Sequence, residues 1–479
     1  MPSLPVPETP AQPLPESGLV CDLPERLPES QISILIVGGG VAGLFAALEC
    51  WRKGHNVRII ERSPSRSVSG DGFSISTSAI RALQKWPQMA EENERISYEP
   101  WVSWHKITGE MISGPAPFQL NQSKNPDQKD LEEKPVPKVY RHSRPKMHKM
   151  LCDQLERVGI IVEYGKQVVE YYEDADLVIA ADGVGGKSSR ITLGREVPAR
   201  PIGYSIYRAS YPLDQALCDL ILDEKLPVME NGMPSSQIWL GEDVHAVFGR
   251  SADEMTWYLT YPNHEQGKES WSHWVEPETV LKTTAIIKGW PKFANRLIQA
   301  TPKGRIHDFK LMWREPQPCW TSAGGRVVQI GDAAHTFHPS SGQGATQGME
   351  DAVSIAACLQ MAGKDNIPWA TRVHNKLRFE RVSCLQLLGV VNQEIRHRSV
   401  NAQPSQTKPI GLLGAWIWEH DPEQYAIENY DKAMKHLADG CSFQNNNTPH
   451  GYSYRPWTLD ELLSDKEMGK KIVLEGDWE

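Results

Sequence analysis

Ile32-Ser33-Ile34-Leu35-Ile36-Val37-Gly38-Gly39-Gly40-Val41-Ala42-Gly43 is the stretch that decides the fold. An apolar run of strand type leads into three glycines. Leu44 through Lys53 follows as a helical pattern closed by Gly54, so the order is strand, turn, helix. Each glycine of the spacing has its own task. Gly38 allows the tight turn, Gly40 lets a pyrophosphate approach the backbone, and Gly43 lets the helix pack against the strand. The first amides of that helix then face the phosphates. A second short strand, Asn56-Val57-Arg58-Ile59-Ile60, ends in Glu61, 23 residues after Gly38, where an acid meets ribose hydroxyls. A carboxylate there argues against a 2′-phosphate and so for FAD or NAD over NADP at this site. The bland alternative is a glycine-rich turn with no ligand; the strand, helix and acid around this one argue against it.

A second segment separates FAD from NAD. Arg326-Val327-Val328-Gln329-Ile330 reads as a strand running into Gly331-Asp332, and Pro339, Gly342 and Gly344 precede a helical pattern from Ala345 to Leu359. Asp332 can grip a sugar-like diol, while helix amides near Gln343 and Gly344 stabilise negative charge on a ring carbonyl. Reduced flavin carries such charge. A Gly-Asp turn that merely caps a helix is the alternative for the dipeptide alone.

Gly38 to Gly43, Asp182-Gly183 and Gly331 to Ala352 resemble, in order and spacing, the three fingerprints of the group A flavoprotein monooxygenases, the salicylate and para-hydroxybenzoate hydroxylase family. Arg141-His142-Ser143-Arg144-Pro145-Lys146-Met147-His148 and Trp416-Ile417-Trp418-Glu419-His420-Asp421-Pro422 are similar to stretches of fungal salicylate hydroxylase-like enzymes of secondary metabolism. The resemblance spans roughly residues 32 to 435. It implies an α/β chain: a Rossmann-like FAD-binding domain, a β-sheet substrate domain and C-terminal helices. It also implies a single-component enzyme that binds FAD, takes a hydride from NAD(P)H, forms a flavin C4a-hydroperoxide with oxygen, and hydroxylates or epoxidises an electron-rich aromatic small molecule. Carried over residue by residue, it makes Arg144 a FAD contact at a helix start, with Arg141 competing for that role and a helix-start salt bridge as the alternative. It puts Asp182 at the pyrophosphate and nicotinamide, and Pro339 beside the flavin ring on the oxygen-reacting side.

Two features depart from the family pattern. After Asp182, the family's Ser and Arg stand four and seven residues on, whereas here Arg190 arrives one residue late, after Val184-Gly185-Gly186-Lys187-Ser188-Ser189. Either the glycines bulge or the contacts weaken; the bulge is the preferred reading. The stretch from Val168 to Ala181 also reaches its strand, Leu177-Val178-Ile179-Ala180, where relatives commonly carry a longer hairpin. It is either a trimmed hairpin or a wrongly joined gene model.

Arg208 is a further candidate. In Ile202-Gly203-Tyr204-Ser205-Ile206-Tyr207-Arg208, period-two alternation puts Ile202, Tyr204, Ile206 and Arg208 on one face, so a charge ends an apolar row. Either it pairs with a surface carboxylate or, as the resemblance implies, it holds a substrate carboxylate or phenolate above the flavin. His335 and His338 suggest a metal pair, but no further ligand completes a set, and no metal is expected. Trp416-Ile417-Trp418 is similar to the tryptophan pair of flavin-dependent halogenases, yet no Ile-Pro follows and it sits near the C-terminus. A halogenase and a non-oxygenase flavoprotein remain the alternative classes.

The 479 residues carry a net charge of −9 from 51 basic and 60 acidic side chains without long runs, which implies no nucleic-acid partner. Eight cysteines lack CxxC or disulfide-module spacing and read as reduced thiols, hence a cytoplasmic protein. Ile410 to Trp418, one of the longest apolar stretches, falls short of the roughly 20 residues of a membrane span. A monomer or homodimer is expected. The domain expectation is a disordered lead-in over 1–31, FAD-binding pieces over 32–200 and 303–365, a substrate domain over 201–302, and a C-terminal helical region over 366–479 with a mobile tail from Met468. Asn121 to Pro137 reads as a surface loop, and Glu278 to Ala300 as one helical run.

Overall fold

The computed structural model describes residues 23–66, 70, 72–118, 139–170, 175–215, 220–227, 229, 234–263, 273–398, 414–470 and 472–478. Its first layer is a five-stranded sheet. From edge to edge the strands are Val327–Gln329, Leu177–Ala180, Ser33–Val37, Asn56–Ile60 and Val162–Glu163, and all four pairings are parallel. Parallel strands need crossovers that cover both sheet faces, which is why Leu177–Ala180 is apolar and buried at every position. The helices Val41–Arg52 and Gly344–Ala362 pack together in the main core, joining Leu44, Phe45 and Leu48 to Ile355 and Leu359. They meet where bulk is forbidden: a Cβ on Gly331 would stand 2.9 Å, and one on Gly348 3.0 Å, from the Ala42 methyl.

The second layer is an eight-stranded sheet in the order Trp274–Val275, Ile306–Trp313, Arg200–Pro212, Glu254–Pro262, His245–Arg250, Ser235–Leu240, Trp101–Lys106, Met111–Pro117. Tyr207, Ala209 and Tyr211 point to a core shared with the helices Pro277–Ala285 and Lys292–Ala300. The alternate residues Ile202, Tyr204 and Ile206 join Tyr258, Phe309 and Leu311 on the other face. That face looks toward the dinucleotide half, since the Tyr258 hydroxyl donates to the Gly72 carbonyl at 3.1 Å. A three-stranded sheet, Gly72–Ser76, Val139–Ser143 and Ser97–Tyr98, carries the junction.

Several expectations are corrected. Residues 101–117 and 306–313, assigned from sequence to the FAD-binding pieces, belong to the eight-stranded sheet through pairings with 235–240 and 200–208. The helical run expected from Glu278 to Ala300 is two helices, because Gly289 takes φ +81 and Pro291 starts the second. Of the lead-in, residues 23–31 are docked: Arg26 donates to the Trp51 carbonyl at 3.1 Å, and Ser30 Oγ lies 2.6 Å from His55 Nδ1. Residues 1–22, the 121–137 loop and residues 171–174 in the short segment before Asp182 lie outside the described residues.

The C-terminal region holds the helices Ile367–Arg398, Ala415–Trp418, Pro422–Asp439 and Leu459–Glu467. Asp421 Oδ1 caps the third by accepting from the amides of Glu423 and Gln424 at 3.1 and 3.0 Å. Nor is the tail loose within the described residues. Trp478 is 4% exposed and packs edge-on to Trp416 and Tyr452, while the Asp477 amide donates to the His450 carbonyl at 2.8 Å. Among the described residues no helix is long and apolar enough to cross a membrane.

Candidate functional site

The first turn is built as its glycines require. Gly38 has φ +113, and a Cβ there would lie 2.2 Å from the Ala181 carbonyl oxygen; one on Gly43 would lie 2.0 Å from that of Gly38. Gly40 differs in kind. Its φ of −77 suits any residue, and a Cβ there would meet nothing within 4 Å, so open space lies at the N-terminus of the Val41–Arg52 helix. Glu61 Oε2 accepts the Gly39 amide at 2.7 Å and Oε1 the Ser63 amide at 2.8 Å. Burial pushes the Glu61 carboxyl up, but these two amides, the Ser63 hydroxyl and Arg62 together outweigh it and hold it below its ordinary value.

The second turn rests on buried charge. Gly331, at φ +58, opens a short turn that exposes Asp332. Behind it, Asp351 Oδ2 accepts the Gly331 amide at 2.9 Å and lies 2.6 Å from His335 Nε2, while Arg378 Nε donates to Asp351 Oδ1 at 2.8 Å. Arg378 and Arg381 also donate to Glu350 Oε2 at 2.6 and 3.0 Å. Burial would raise both acids. Arg381 and Arg378 around Glu350, and His335 and Arg378 around Asp351, hold them far below the usual carboxylate range. Among the described residues no group of three or more His, Cys, Asp or Glu side chains is gathered to hold a metal. His338 Nδ1 accepts from the Ser340 amide at 3.2 Å.

Pro339 is exposed at the start of a short turn that Gly342 ends at φ +62, and the Gly344–Ala362 helix begins two residues later. A Cβ on Gly342 meets nothing, and one on Gly344 meets only Phe337 at 3.9 Å, so room remains there for a planar group. The Gln343 amide is engaged by Ser341 Oγ at 3.2 Å. Desolvation by the surrounding protein pushes the Asp332 carboxyl up, while His335, Arg144 and Arg314 pull it back.

Asp182 folds over its own loop, accepting the amides of Lys187 and Ser188 at 3.0 and 3.3 Å and the Ser188 hydroxyl at 2.8 Å. The loop turns at Gly183, which has φ +73 and whose carbonyl accepts the Gly186 amide at 3.0 Å. Arg190, however, turns outward and pairs with Glu196. Arg144 starts the Arg144–Arg157 helix, with its guanidinium 5.2 Å from the centre of the Phe73 ring, and its charge reaches Asp332. Arg141 donates instead to Ser74 Oγ and the Tyr258 hydroxyl, both at 3.4 Å.

Arg208 continues the inward-facing row, its guanidinium 5.5 Å from the Tyr258 ring centre and 5.2 Å from that of Phe309. With Gly70, Ser143, Lys146, Arg305 and His307 it lines a cleft of about 300 Å³ between the two halves. Gly70 packs on the side chain of Arg144, so this cleft adjoins the start of the Arg144–Arg157 helix. Trp416 and Trp418 are packing residues: both belong to the C-terminal core, and the carbonyls of Trp416 and Ile417 accept from Arg381 at 2.9 and 2.8 Å.

Sequence reasoning missed Arg314. Buried at the end of the Ile306–Trp313 strand, it donates to Ala333 O at 2.9 Å and Gly186 O at 3.3 Å, and also to Val184 O, tying the loop after Asp182 to the turn of Asp332. A charge ending the apolar run Leu311-Met312-Trp313 was its signal.

Residues 31–366 match the FAD binding domain family. The sequence is 40% identical to the FAD-dependent monooxygenase fsr3 of Gibberella fujikuroi, over 95% of this chain and 90% of the relative. It is 37% identical to the FAD-dependent monooxygenase dmxR9 of Cryptosporiopsis sp., over 95% of this chain and 92% of the relative. The backbone is similar to that of CtdE, solved in complex with FAD and substrate 4, with a TM-score of 0.75 at 26% identity over 85% of this chain and 100% of that one.

Proposed function

The chain belongs to the FAD-dependent monooxygenases that carry the FAD binding domain, and from that premise we propose that it uses NAD(P)H and O2 to hydroxylate or epoxidise an electron-rich aromatic small molecule, a phenol, an indole or a related ring, in fungal secondary metabolism. The observation that carries this reading is the convergence of two glycine-lined helix starts at Ala42, Gly331 and Gly348, with Glu61 bound to the first turn and Asp332 exposed on the second. An extended dinucleotide has sugar hydroxyls at two places and charge between them, and these residues fit it.

FAD, when bound, supplies a hydride acceptor and the means to activate oxygen. The chain's own residues divide the rest. Glu61 takes ribose hydroxyls; Gly38, Gly40 and Gly43 leave the pyrophosphate its path to the helix N-terminus. Asp332 takes the ribityl hydroxyls, and Gly342 and Gly344 leave room where the helix amides face a ring carbonyl. Arg144 and Asp182 flank the cofactor, and Pro339 shapes the wall beside its ring. Arg208, held between two aromatic faces, keeps an anionic substrate group in place and favours the electron-rich phenolate. The enzyme acts in the cytoplasm, as a monomer or homodimer and without nucleic acid or stable membrane insertion.

The test is to purify the chain, record its visible spectrum, and screen aromatic compounds for stimulation of NAD(P)H oxidation with a mass gain of one oxygen. The wild type is expected to be yellow and Asp332→Ala colourless but folded. A chain that retains no FAD, or that oxidises NAD(P)H with no compound gaining oxygen, overturns the reading. Chloride or bromide incorporation that requires a separate reductase would move the chain to the halogenases.

A further inference from the structure

We infer that His148 is a positioning residue for the adenosine half of the cofactor site, acting through the Gly39–Gly40 peptide. Gly39 is held through both of its flanking peptides. Its N–H is donated to Glu61 Oε2 at 2.7 Å, and its carbonyl oxygen lies 2.9 Å from His148 Nε2. A carbonyl only accepts, so Nε2 carries the proton and, in the neutral ring, Nδ1 is the acceptor. Cys152 Sγ lies 3.6 Å from that Nδ1 and 3.8 Å from the Tyr164 hydroxyl, which completes the chain of contacts. His148 is 8% exposed. It stands one helical turn after Arg144 and one before Cys152, so the three share one face of the Arg144–Arg157 helix.

The consequence for binding is geometric. Gly39 lies between Gly38, which sets the turn at φ +113, and Gly40, which leaves the open space. Glycine is soft in φ and ψ, and one side-chain hydrogen bond on each of the two peptides that flank the Gly39 Cα removes that freedom before the ligand arrives. Glu61 holds the Gly38–Gly39 peptide and His148 the Gly39–Gly40 peptide, so His148 limits the rotation of the glycine on which that acid is anchored.

This rests on the FAD reading above, and the test separates the two. Full-length wild type, His148→Phe, His148→Asn and His148→Gln are freed of flavin and titrated with FAD and, separately, with FMN, which lacks the adenosine half. Phe fills the ring's volume without a donor, Asn is too short to reach the carbonyl, and Gln places an amide N–H near the position of Nε2. We expect FAD to bind about five- to tenfold more weakly to the Phe and Asn variants, the size of one net hydrogen bond. FMN binding should be unchanged, and Gln should restore FAD to within about twofold. Unchanged FAD affinity in the Asn variant, equal losses for FAD and FMN, or no rescue by Gln overturns the inference. If the Phe variant does not fold, the Asn and Gln pair decides. A wild type that binds no FAD refutes the earlier reading instead.

Discussion

The guanidinium of Arg314 donates to the carbonyl oxygen of Ala333 at 2.9 Å, and the same head group reaches the carbonyls of Val184 and Gly186 in another segment. One buried side chain from the substrate sheet thus fastens two turns of the dinucleotide half to each other. Replacing it with methionine keeps the bulk and leaves three carbonyls without that donor. Hydrogen bonds from a charged group are worth about 1.5–3 kcal/mol each before relaxation, so Arg314→Met should cost about 3 kcal/mol of stability. Urea unfolding of the flavin-free protein checks this, and a loss under about 1 kcal/mol would mean that water replaces the guanidinium.

Gly40 and Gly43 should respond oppositely to a side chain. Gly40→Leu has an allowed φ and open space, so the flavin-free protein should change by no more than about 1 kcal/mol while FAD affinity falls more than about tenfold. Gly43→Ala must push the Gly38 carbonyl from 2.0 Å, and should destabilise the fold itself by about 1–3 kcal/mol. Melting curves with and without FAD separate the cases.

Glu423 gives an acid dependence with a definite sign. Burial raises its carboxyl, but Arg52, Lys53 and Lys85 outweigh that and hold it at about 2, below its ordinary 4.5. The contribution is therefore complete above pH 4.5 and lost as pH falls toward 2. Its ceiling is about 3 kcal/mol. Burial lowers the Lys53 ammonium even beside its partner, so the two shifts are not added. The stability difference between wild type and Glu423→Gln should shrink steadily through that window. A difference independent of pH would show that the pairing does not anchor the Pro422–Asp439 helix.

Arg208→Ala should retain FAD and lose about 1 kcal/mol of stability at most, from two cation–π contacts. On the proposed function it should also lose most substrate-stimulated turnover, with NAD(P)H consumption diverted to hydrogen peroxide. A peroxide assay beside product quantification reads this out. Normal coupling on the true substrate would make Arg208 a packing residue.

Local chemistry made the dinucleotide half legible before any coordinates. A turn that needs φ +113 at Gly38, or that admits no Cβ at Gly43, can be built only with glycine, and buried parallel strands must be apolar throughout; both leave marks on consecutive residues. The same holds for the alternation that puts Ile202, Tyr204, Ile206 and Arg208 on one face. Tertiary structure decided the rest. Which sheet receives Trp101–Lys106 or Ile306–Trp313 depends on backbone partners about a hundred residues or more away, and edge-to-edge pairing has no signature in a strand's own residues. The contacts of Arg314 and His148 were hidden for the same reason. A carbonyl acceptor is present on every residue, so the sequence records that a donor exists but not which distant peptide it holds. The last residues show the limit most plainly, because Trp478 near the chain end reads as tail until Trp416 and Tyr452 close around it.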